Sequence, residues 1–381
     1  MIYLDNAATT PVRREVLEAI WPLLTTGFGN PSSHHRVGEA AAAALADARS
    51  TVAAVLGCRP AEVLFTSGGT ESDNLAIKGI ALAAPRGRHL VVSAIEHEAV
   101  LESCDYLQRL HGFEVTLLPV DAEGLVDPAE LARALTPATT LVSVQYANNE
   151  VGTVQPIRDL AELARAQGVP FHTDAVQAAG WLPLSVADLG VDALSLSGHK
   201  LGAPQGTGAL FLRRRVRVEP VQHGGGQERG NRSGTENVAG AVALATALRL
   251  AENEREDASP RIGALRDSFI AAVLDVAPGA RLTGHPSRRL PGTASFVFPG
   301  TSGEAVLLEL EGHGIVCSSG SACAAGSEEP SPTLTAMGLP AEVAQTAVRF
   351  TLASATTEAD LFETARAVGL AVRTIQDIGR R

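Results

Sequence analysis

The stretch that decides the fold is "LSLSGHKLGAPQGTGAL", residues 194–210. A short apolar run ends at Ser197, a glycine-rich turn follows, and the chain becomes apolar again at "GAL". His199 and Lys200 stand in that turn. In open α/β sheets, ligands bind beyond the carboxyl ends of the strands. Lys200 is therefore either an ordinary surface charge or an amine placed to form a Schiff base with an aldehyde cofactor.

The chain around this stretch alternates Ala-rich helical segments with short runs rich in β-branched residues, from about residue 35 to residue 255. This alternation predicts βα units around a mostly parallel sheet. The segment "QPIRDLAELARAQG" predicts a helix, because Pro156 stands near its start and Gly168 at its end. The further candidate strands are "HLVVSAI", "FEVTLLPV", "TLVSVQYA", "VPFHTDA" and "GALFLR".

A charged stretch, "AENEREDASP" at residues 251–260, predicts a domain boundary. We expect a large domain over residues 12–258 and a small α+β domain formed by residues 1–11 and 259–381. The last helix of the small domain should begin after Thr357, which forms a capping box with Asp360.

Composition limits the class of protein. The chain has 381 residues, 45% of them hydrophobic, and a formal net charge of −11. This is a globular composition, and its charge disfavours nucleic acid or an anionic membrane as a partner. The start "MIYLDNAATTP" lacks the features of a signal peptide, so we expect a cytoplasmic protein. Four cysteines are too few for a disulfide framework in such a chain, so a special cysteine should be reactive.

Two more strand ends carry groups that a pyridine cofactor needs. Asp174 in "FHTDAVQ" either caps a helix or keeps a pyridine nitrogen protonated. In "LFTSGGTESDNLAI", Gly69 and Thr70 begin a helix whose free N–H groups can hold a phosphate or simply form a capped helix. His97 could stack on a ring or move protons, although an isolated histidine is more often structural. The amides in "YANNEVG" can orient a substrate or complete a turn.

The order of these motifs closely resembles that of the cysteine desulfurases of the NifS and IscS group, which are fold-type I pyridoxal-phosphate enzymes related to class V aminotransferases. Any one motif is modest evidence, but ten in register are highly specific. The matching segments run from residue 3 to residue 352: "YLDNAATT", "GNPSSHH", "FTSGGTES", "EHEAV", "NNEVGTVQPI", "HTDAVQ", "SGHKLGAPQGTGAL", "QHGGGQERGNRSGTEN", "SSGSAC" and "VRFTL".

The resemblance implies an α/β fold with a mostly parallel seven-stranded sheet between helices and a smaller α+β domain. It implies that Lys200 forms the Schiff base with pyridoxal 5′-phosphate and that Asp174 pairs with the pyridinium nitrogen. Arg349 would bind the carboxylate of L-cysteine with Asn149 beside it. The remaining expected cofactor contacts are His97 on the ring, Gln177 on the phenolic oxygen, Gly69, Thr70, Ser197 and His199 on the phosphate, and Thr235 on the phosphate of the second subunit of a homodimer.

The resemblance also implies that Cys323 is the catalytic cysteine, which takes sulfur from L-cysteine as a persulfide and passes it to an acceptor or iron–sulfur scaffold protein. Its loop of small residues predicts mobility around residues 320–330. Cys317 ends the apolar run "GIVC" and should be a packed thiol. Cys317, Cys323 and His313 supply at most three of the four ligands of a structural metal site, so we expect no resident metal. A transient cluster shared between Cys323 and a partner is the exception.

Other functions remain open at this point. The same fold suits a selenocysteine lyase or an aminotransferase, and a non-enzymatic protein could carry a cluster on its cysteines. After Cys323 the chain reads "AAGSEEPS", where members of this family usually carry a hydroxyl residue next. This departure leaves the sulfur acceptor uncertain.

Overall fold

The structure is a computed structural model that describes residues 1–83, 85–319 and 329–379. Cys323 lies outside these residues, as does most of the 320–330 stretch for which mobility is predicted. The helices are α1 (Arg14–Thr25), α2 (Arg36–Leu56), α3 (Gly69–Ala83), α4 (Glu98–His111), α5 (Pro128–Ala134), α6 (Ile157–Ala166), α7 (Val186–Leu189), α8 (Val238–Val276), α9 (Gly303–Gly312), α10 (Pro332–Ala336), α11 (Ala341–Ala344) and α12 (Glu358–Gly379).

The strands are short and follow the apolar runs of the sequence. They are β1 (Ile2–Tyr3), β2 (Val63–Thr66), β3 (His89–Ser93), β4 (Glu114–Leu118), β5 (Thr139–Ser143), β6 (Phe171–Asp174), β7 (Ala193–Ser197), β8 (Gly208–Leu212), β9 (Arg281–Leu282), β10 (Thr293–Val297), β11 (Ile315–Val316), β12 (Ser318–Ser319) and β13 (Ala347–Thr351).

The central sheet has seven strands in the order β2-β8-β7-β6-β5-β3-β4. The pairs β2–β8 and β8–β7 are antiparallel, and the other neighbours are parallel. Neighbouring strand residues such as Leu141 and Val142 enter separate hydrophobic clusters, because successive side chains point to opposite faces. Helices therefore cover both faces, which explains why these strands read as continuous apolar runs. The predicted sheet is confirmed.

A second core lies at the far end of the chain. It is built on the antiparallel sheet β12-β13-β10-β9, beside the parallel pair β1–β11. Phe269 packs edge-on against Phe296 and Phe350, with ring centroids 6.1 and 5.2 Å apart. Strand β1 brings the first residues of the chain into this unit, since Ile2 and Tyr3 pair with Ile315 and Val316. The predicted smaller α+β unit is present.

The charged stretch at residues 251–260 is helical, since α8 runs through it without a break for 39 residues. Its buried face continues through Ala251, Ala258 and Ile262, while Glu254 stays at the surface. The charges belong to the solvated face of a long helix, so they do not mark a linker. The division at residues 258 and 259 remains a prediction.

Two predicted helix termini appear as expected. Pro156 is the N-cap of α6, and Gly168 adopts a φ of 65° just beyond its end. Before α12, the backbone N–H of Asp360 donates to the Thr357 hydroxyl, and the Thr357 N–H donates to the Asp360 carboxylate (3.2 and 2.9 Å). Among the helices that the structure describes, none combines the length and the apolar run that a bilayer span requires.

Candidate active site

One cavity of about 320 Å³ collects nearly all the predicted site residues. It lies beyond the carboxyl ends of β6 and β7, where the topology of an open α/β sheet places ligands. Of the predicted residues that the structure describes, only Thr235 does not line it. The lining residues that the sequence predicted are Gly69, Thr70, His97, Asn149, Asp174, Gln177, Ser197, His199, Lys200 and Arg349.

Lys200 ends a single turn of 3-10 helix that directly follows β7. Its half-buried amine donates hydrogen bonds to the backbone carbonyls of Ala7 and Ala8, the second at 2.7 Å. The neighbouring His199 ring lies 3.2 Å from the Thr9 hydroxyl. Burial and the Lys200 charge lower the pKa of His199 to about 4, so its imidazole is neutral at physiological pH. Lys200 is therefore an amine held at the cavity by the N-terminal segment.

Asp174 is the last residue of β6 and is buried. Its Oδ1 accepts the backbone N–H of Val176 at 2.8 Å, in a turn that does not begin a helix. Burial raises the pKa of Asp174, whereas His97, this N–H group and Lys200 oppose the rise. Oδ2 accepts no hydrogen bond from the part of the chain that the structure describes. A carboxylate with one oxygen available thus faces the cavity near a lysine.

The glycine turn before α3 needs its glycines for close packing. Gly68 has a φ of 156°, and a Cβ on Gly208 would lie 2.6 Å from the Gly68 backbone. A Cβ on Gly69 would lie 2.8 Å from Cγ2 of Val176. A side chain at either position would therefore clash with these neighbouring protein atoms. Gly69 and Thr70, in the first turn of the helix, line the cavity, and a helix N-terminus in this position suits an anion.

The two neighbouring amides have different tasks. Asn148 completes a turn, because its Oδ1 accepts the backbone N–H groups of Glu150 and Val151, both at 2.8 Å. Asn149 lines the cavity. His97 lines it too, and its Nδ1 caps α4 by accepting the Ala99 N–H at 3.1 Å. The sequence alone did not separate these roles.

Arg349 on β13 is almost completely buried, with 1% of its surface exposed. Nη1 donates to the carbonyl of Asn149 at 2.9 Å, and Nη2 donates to Oδ1 of Asp5 at 2.8 Å. Nε finds no partner among the described residues, although it is buried. An unpaired buried guanidinium N–H at a cavity suits a carboxylate ligand. Asp5, which orients this arginine from 344 positions away, was missed in the sequence.

Residues on both sides of the undescribed segment 320–328 lie next to the cavity. Before it, Ser318 pairs with Arg349 across β12 and β13. After it, the hydroxyls of Ser331 and Thr333 donate to the buried carboxylate of Glu150 at 2.5 and 3.0 Å. Glu150 directly follows Asn149. The described residues that flank this segment therefore lie beside the site.

Two candidate residues lie elsewhere. Cys317 follows β11, packs against the second core, and has a pKa raised chiefly by burial, as expected of a packed thiol. Thr235 is exposed in the segment before α8, outside the cavity of its own chain. This segment is held to α3 by the Arg232–Glu71 ion pair at 2.8 Å. Among the described residues, no three His, Cys, Asp or Glu side chains are grouped as a metal site would require.

Comparisons with known proteins agree with this geometry. The family model for class V aminotransferases matches residues 2–363. The chain is 46% identical to a cysteine desulfurase IscS of Dictyoglomus turgidum over 94% of this chain and 91% of the relative. It is 45% identical to the cysteine desulfurase NifS of Azotobacter vinelandii over 99% and 94%.

Solved structures show the same likeness. A protein described as NifS-like superposes with a TM-score of 0.89 at 37% identity, over 99% of this chain and 98% of that one. A structure described as SspA in complex with cysteine has a TM-score of 0.81 at 36% identity, over 92% and 99%. The chain belongs to the class V aminotransferase family, with the fold of type I pyridoxal-phosphate enzymes, in the group of cysteine desulfurases of the IscS and NifS type.

Proposed function

We propose that this enzyme is a pyridoxal-phosphate-dependent cysteine desulfurase that converts L-cysteine into L-alanine and keeps the sulfur as a persulfide on Cys323. The observation that carries the proposal is one cavity lined by the Lys200 amine, the Asp174 carboxylate and the Arg349 guanidinium. Each of these groups recognises a different part of a cofactor–amino acid pair.

The residues present fit pyridoxal phosphate. When bound, the cofactor supplies an aldehyde carbon and an electron-withdrawing ring that weakens bonds at the α- and β-carbons of an amino acid. Lys200 would hold it covalently, and Oδ2 of Asp174 would accept the ring N–H. The N-terminus of α3, where Gly69 and Thr70 line the cavity, suits the phosphate. Thr70, Ser197 and His199 line the cavity around it.

The other lining residues orient the ring and the substrate. His97 would lie on the ring and move protons, and Gln177 would donate to the phenolic oxygen. Nε of Arg349, which has no partner among the described residues, would donate to the substrate carboxylate. Asn149, whose carbonyl accepts from Arg349, would assist it. Lys200 would move the proton at the substrate α-carbon.

Cys323 would then take the sulfur. Its thiolate attacks the sulfur of L-cysteine, a sulfur–sulfur bond forms and the carbon–sulfur bond breaks. The electron pair of the broken bond would stay with the β-carbon, which would take up one proton, so L-cysteine and the Cys323 thiol yield L-alanine and the Cys323 persulfide without an external oxidant. Ser318, before the undescribed segment, pairs with Arg349, and Ser331, after it, donates to Glu150. These contacts support a Cys323 within reach of the cavity.

The remaining parts of the proposal concern the surroundings of the enzyme. We propose a homodimer, in which Thr235 reaches the phosphate of the second subunit; its exposure and distance from its own cavity support this. Sulfur would pass from Cys323 to an acceptor or scaffold protein for iron–sulfur cluster assembly, and the enzyme would work in the cytoplasm. The similarity to relatives named cysteine desulfurase IscS and NifS supports the sulfur-transfer role.

The decisive experiment measures alanine, sulfide and the mass of the Cys323 peptide after incubation with L-cysteine. We expect alanine and a persulfide mass, with neither persulfide nor sulfide release from Cys323→Ala. Cys317→Ala is the matched control and should keep the activity. Retained desulfuration in Cys323→Ala would contradict this mechanism. A selenocysteine lyase or an aminotransferase would keep its own activity in that variant, and a colourless, metal-containing preparation would favour a cluster carrier.

A further inference from the structure

Three carboxyl groups are buried near one another: Asp73 on α3 and Asp174 at the end of β6, which line the cavity, and Glu96 after β3. Their exposed fractions are 1%, 7% and 5%. They are close enough to interact, because the charge of Asp174 raises the pKa of both Asp73 and Glu96. Asp73 lines the same cavity as Asp174, yet the proposed mechanism does not use it. Three negative charges in so small a buried volume would repel one another strongly.

Only one member of this cluster faces positive charge. Lys200 and His97 both lower the pKa of Asp174, as does the Val176 N–H group. For Asp73, the group in the described part of the chain that lowers its pKa is the Ser195 hydroxyl. For Glu96 it is the backbone N–H of Gln145, at 2.7 Å. Burial is the largest influence on both groups and raises their pKa values.

Among the described residues, His172 is the basic side chain within 4 Å of Asp73, and it cannot balance a charge there. Nε2 of His172 lies 3.6 Å from Oδ1 of Asp73. The ring is fully buried and is held by hydrogen bonds to Ser143 on Nδ1 (2.9 Å) and to Ser195 on Nε2 (3.0 Å). Burial lowers the pKa of His172 to about 3, so the ring is neutral. Asp73 and His172 thus face each other without a counter-charge.

Carboxyl oxygens without hydrogen-bond partners also indicate that Asp73 and Glu96 are poorly stabilised as charged groups. Oδ1 of Asp73 and Oε2 of Glu96 are buried and have no hydrogen-bond partner among the described residues. A buried ionised carboxylate without such partners is costly, whereas a protonated carboxyl group avoids most of that cost. Pairs of acids whose surroundings differ in this way commonly take different protonation states in one site.

We propose that Asp73 and Glu96 are neutral carboxylic acids at physiological pH and that they leave Asp174 as the only negative charge of the cluster. Both act through Asp174 and are positioning residues. This inference rests on the proposed function in one respect, because the charge on Asp174 is there assigned to the cofactor ring nitrogen. The neutral pair would prevent a second charge from competing with Asp174 for that proton.

Infrared spectroscopy of the cofactor-loaded enzyme tests the protonation states directly. A protonated carboxyl group gives a carbonyl stretching band, separate from those of carboxylates, that shifts in D2O. We expect this band at neutral pH and expect Asp73→Asn and Glu96→Gln each to remove part of it. Asp47→Asn, at an exposed position on α2, is the matched control and should leave the band unchanged. No such band in the unaltered enzyme, or an unchanged band in Asp73→Asn, would overturn the assignment of Asp73.

A second variant covers the case in which Asp73→Asn fails to fold. Asp73→Glu keeps an acid at the site and should move the same band in frequency, and an unmoved band would count against the proposal. Pyridoxal phosphate affinity provides an independent readout. Asp174→Asn should weaken binding at least about tenfold more than Asp73→Asn, the smallest loss expected for a charge-assisted hydrogen bond.

Equal losses of affinity in these two variants would show that Asp73 also carries charge toward the cofactor, which contradicts the inference. Failure of the proposed function looks different. A protein that does not bind pyridoxal phosphate at all would refute the function, whereas the infrared band of the buried acids would persist in the unloaded protein.

Discussion

Replacement of Arg349 by lysine tests the assignment of the substrate carboxylate site. An arginine has five N–H donors, and Arg349 uses one on Asn149 and one on Asp5, which leaves three, including the buried Nε–H. Lysine carries the same charge on a single nitrogen. It can replace one of these contacts well, but it cannot pair with Asp5 and also donate two parallel hydrogen bonds to a carboxylate.

The size of the effect follows from the hydrogen bonds lost. A hydrogen bond to a charged group contributes about 1.5–3 kcal/mol, so the loss of one at a buried site should lower kcat/KM for L-cysteine by about 10- to 150-fold. The Asp5 contact is retained in part, so the fold and the bound cofactor should survive. The visible absorption of the cofactor should be the same in both proteins.

The assay compares L-cysteine with cysteamine, which has the same thiol and amine but no carboxylate. Arg349→Lys should weaken the cofactor absorption change caused by L-cysteine and leave that caused by cysteamine within about twofold, since only the first compound has the carboxylate that we propose Arg349 binds. Arg14→Lys, an exposed arginine on α1 with a side chain 88% accessible, is the control. Equal losses with both compounds would refute the carboxylate assignment.

Three further changes test other parts of the structure. Lys200→Ala removes the amine to which we propose the cofactor is attached, so borohydride treatment should add no cofactor mass to the chain; a stable adduct in this variant would contradict the assignment. Arg49→Met leaves buried Glu228 without its bidentate partner (2.7 and 2.8 Å). The free energy of unfolding, measured with urea, should fall by about 3–5 kcal/mol, and Glu228→Gln in the same protein should restore part of it. An unchanged urea midpoint in Arg49→Met would count against this ion pair. The pKa of His172 falls from 6.5 to about 3 on folding, so the unfolded chain binds the extra proton and stability is lost as pH falls below 6.5. His172→Gln should reduce that slope by about 1.4 kcal/mol per pH unit, and the same slope in both proteins would exclude His172 as its source.

The sequence predicts the central sheet and the position of Lys200 well, for a physical reason. Strands buried on both faces must be continuously apolar, and a turn with His199 and Lys200 directly after such a strand must stand at the carboxyl edge of the sheet. The same logic located Asp174. Turns whose backbone conformation favours glycine, such as the one at Gly68 with its φ of 156°, can also be recognised in the sequence.

The features that the sequence did not reveal depend on distant contacts or on a face of a helix. The charges at residues 251–260 did not show that this stretch is helical, because composition was averaged over it, whereas the buried side of α8 continues through Ala251 and Ala258; the domain boundary there stays a prediction. Asp5 and Arg349 are 344 positions apart, so no local spacing could pair them. Asp73 looks like an ordinary polar residue of an early helical turn, and only its complete burial marks it.

The first ten residues connect the small sheet with the cavity, which matters for how the protein is handled in practice. They cross from the small sheet to the cavity: Ile2 pairs with Ile315, Asp5 holds Arg349, and the carbonyls of Ala7 and Ala8 receive the amine of Lys200. A protease that cut after them, or a fusion tag that pulled β1 away from β11, would loosen Arg349 and Lys200 at the same time. For expression and labelling, the amino terminus should therefore be handled as part of the site.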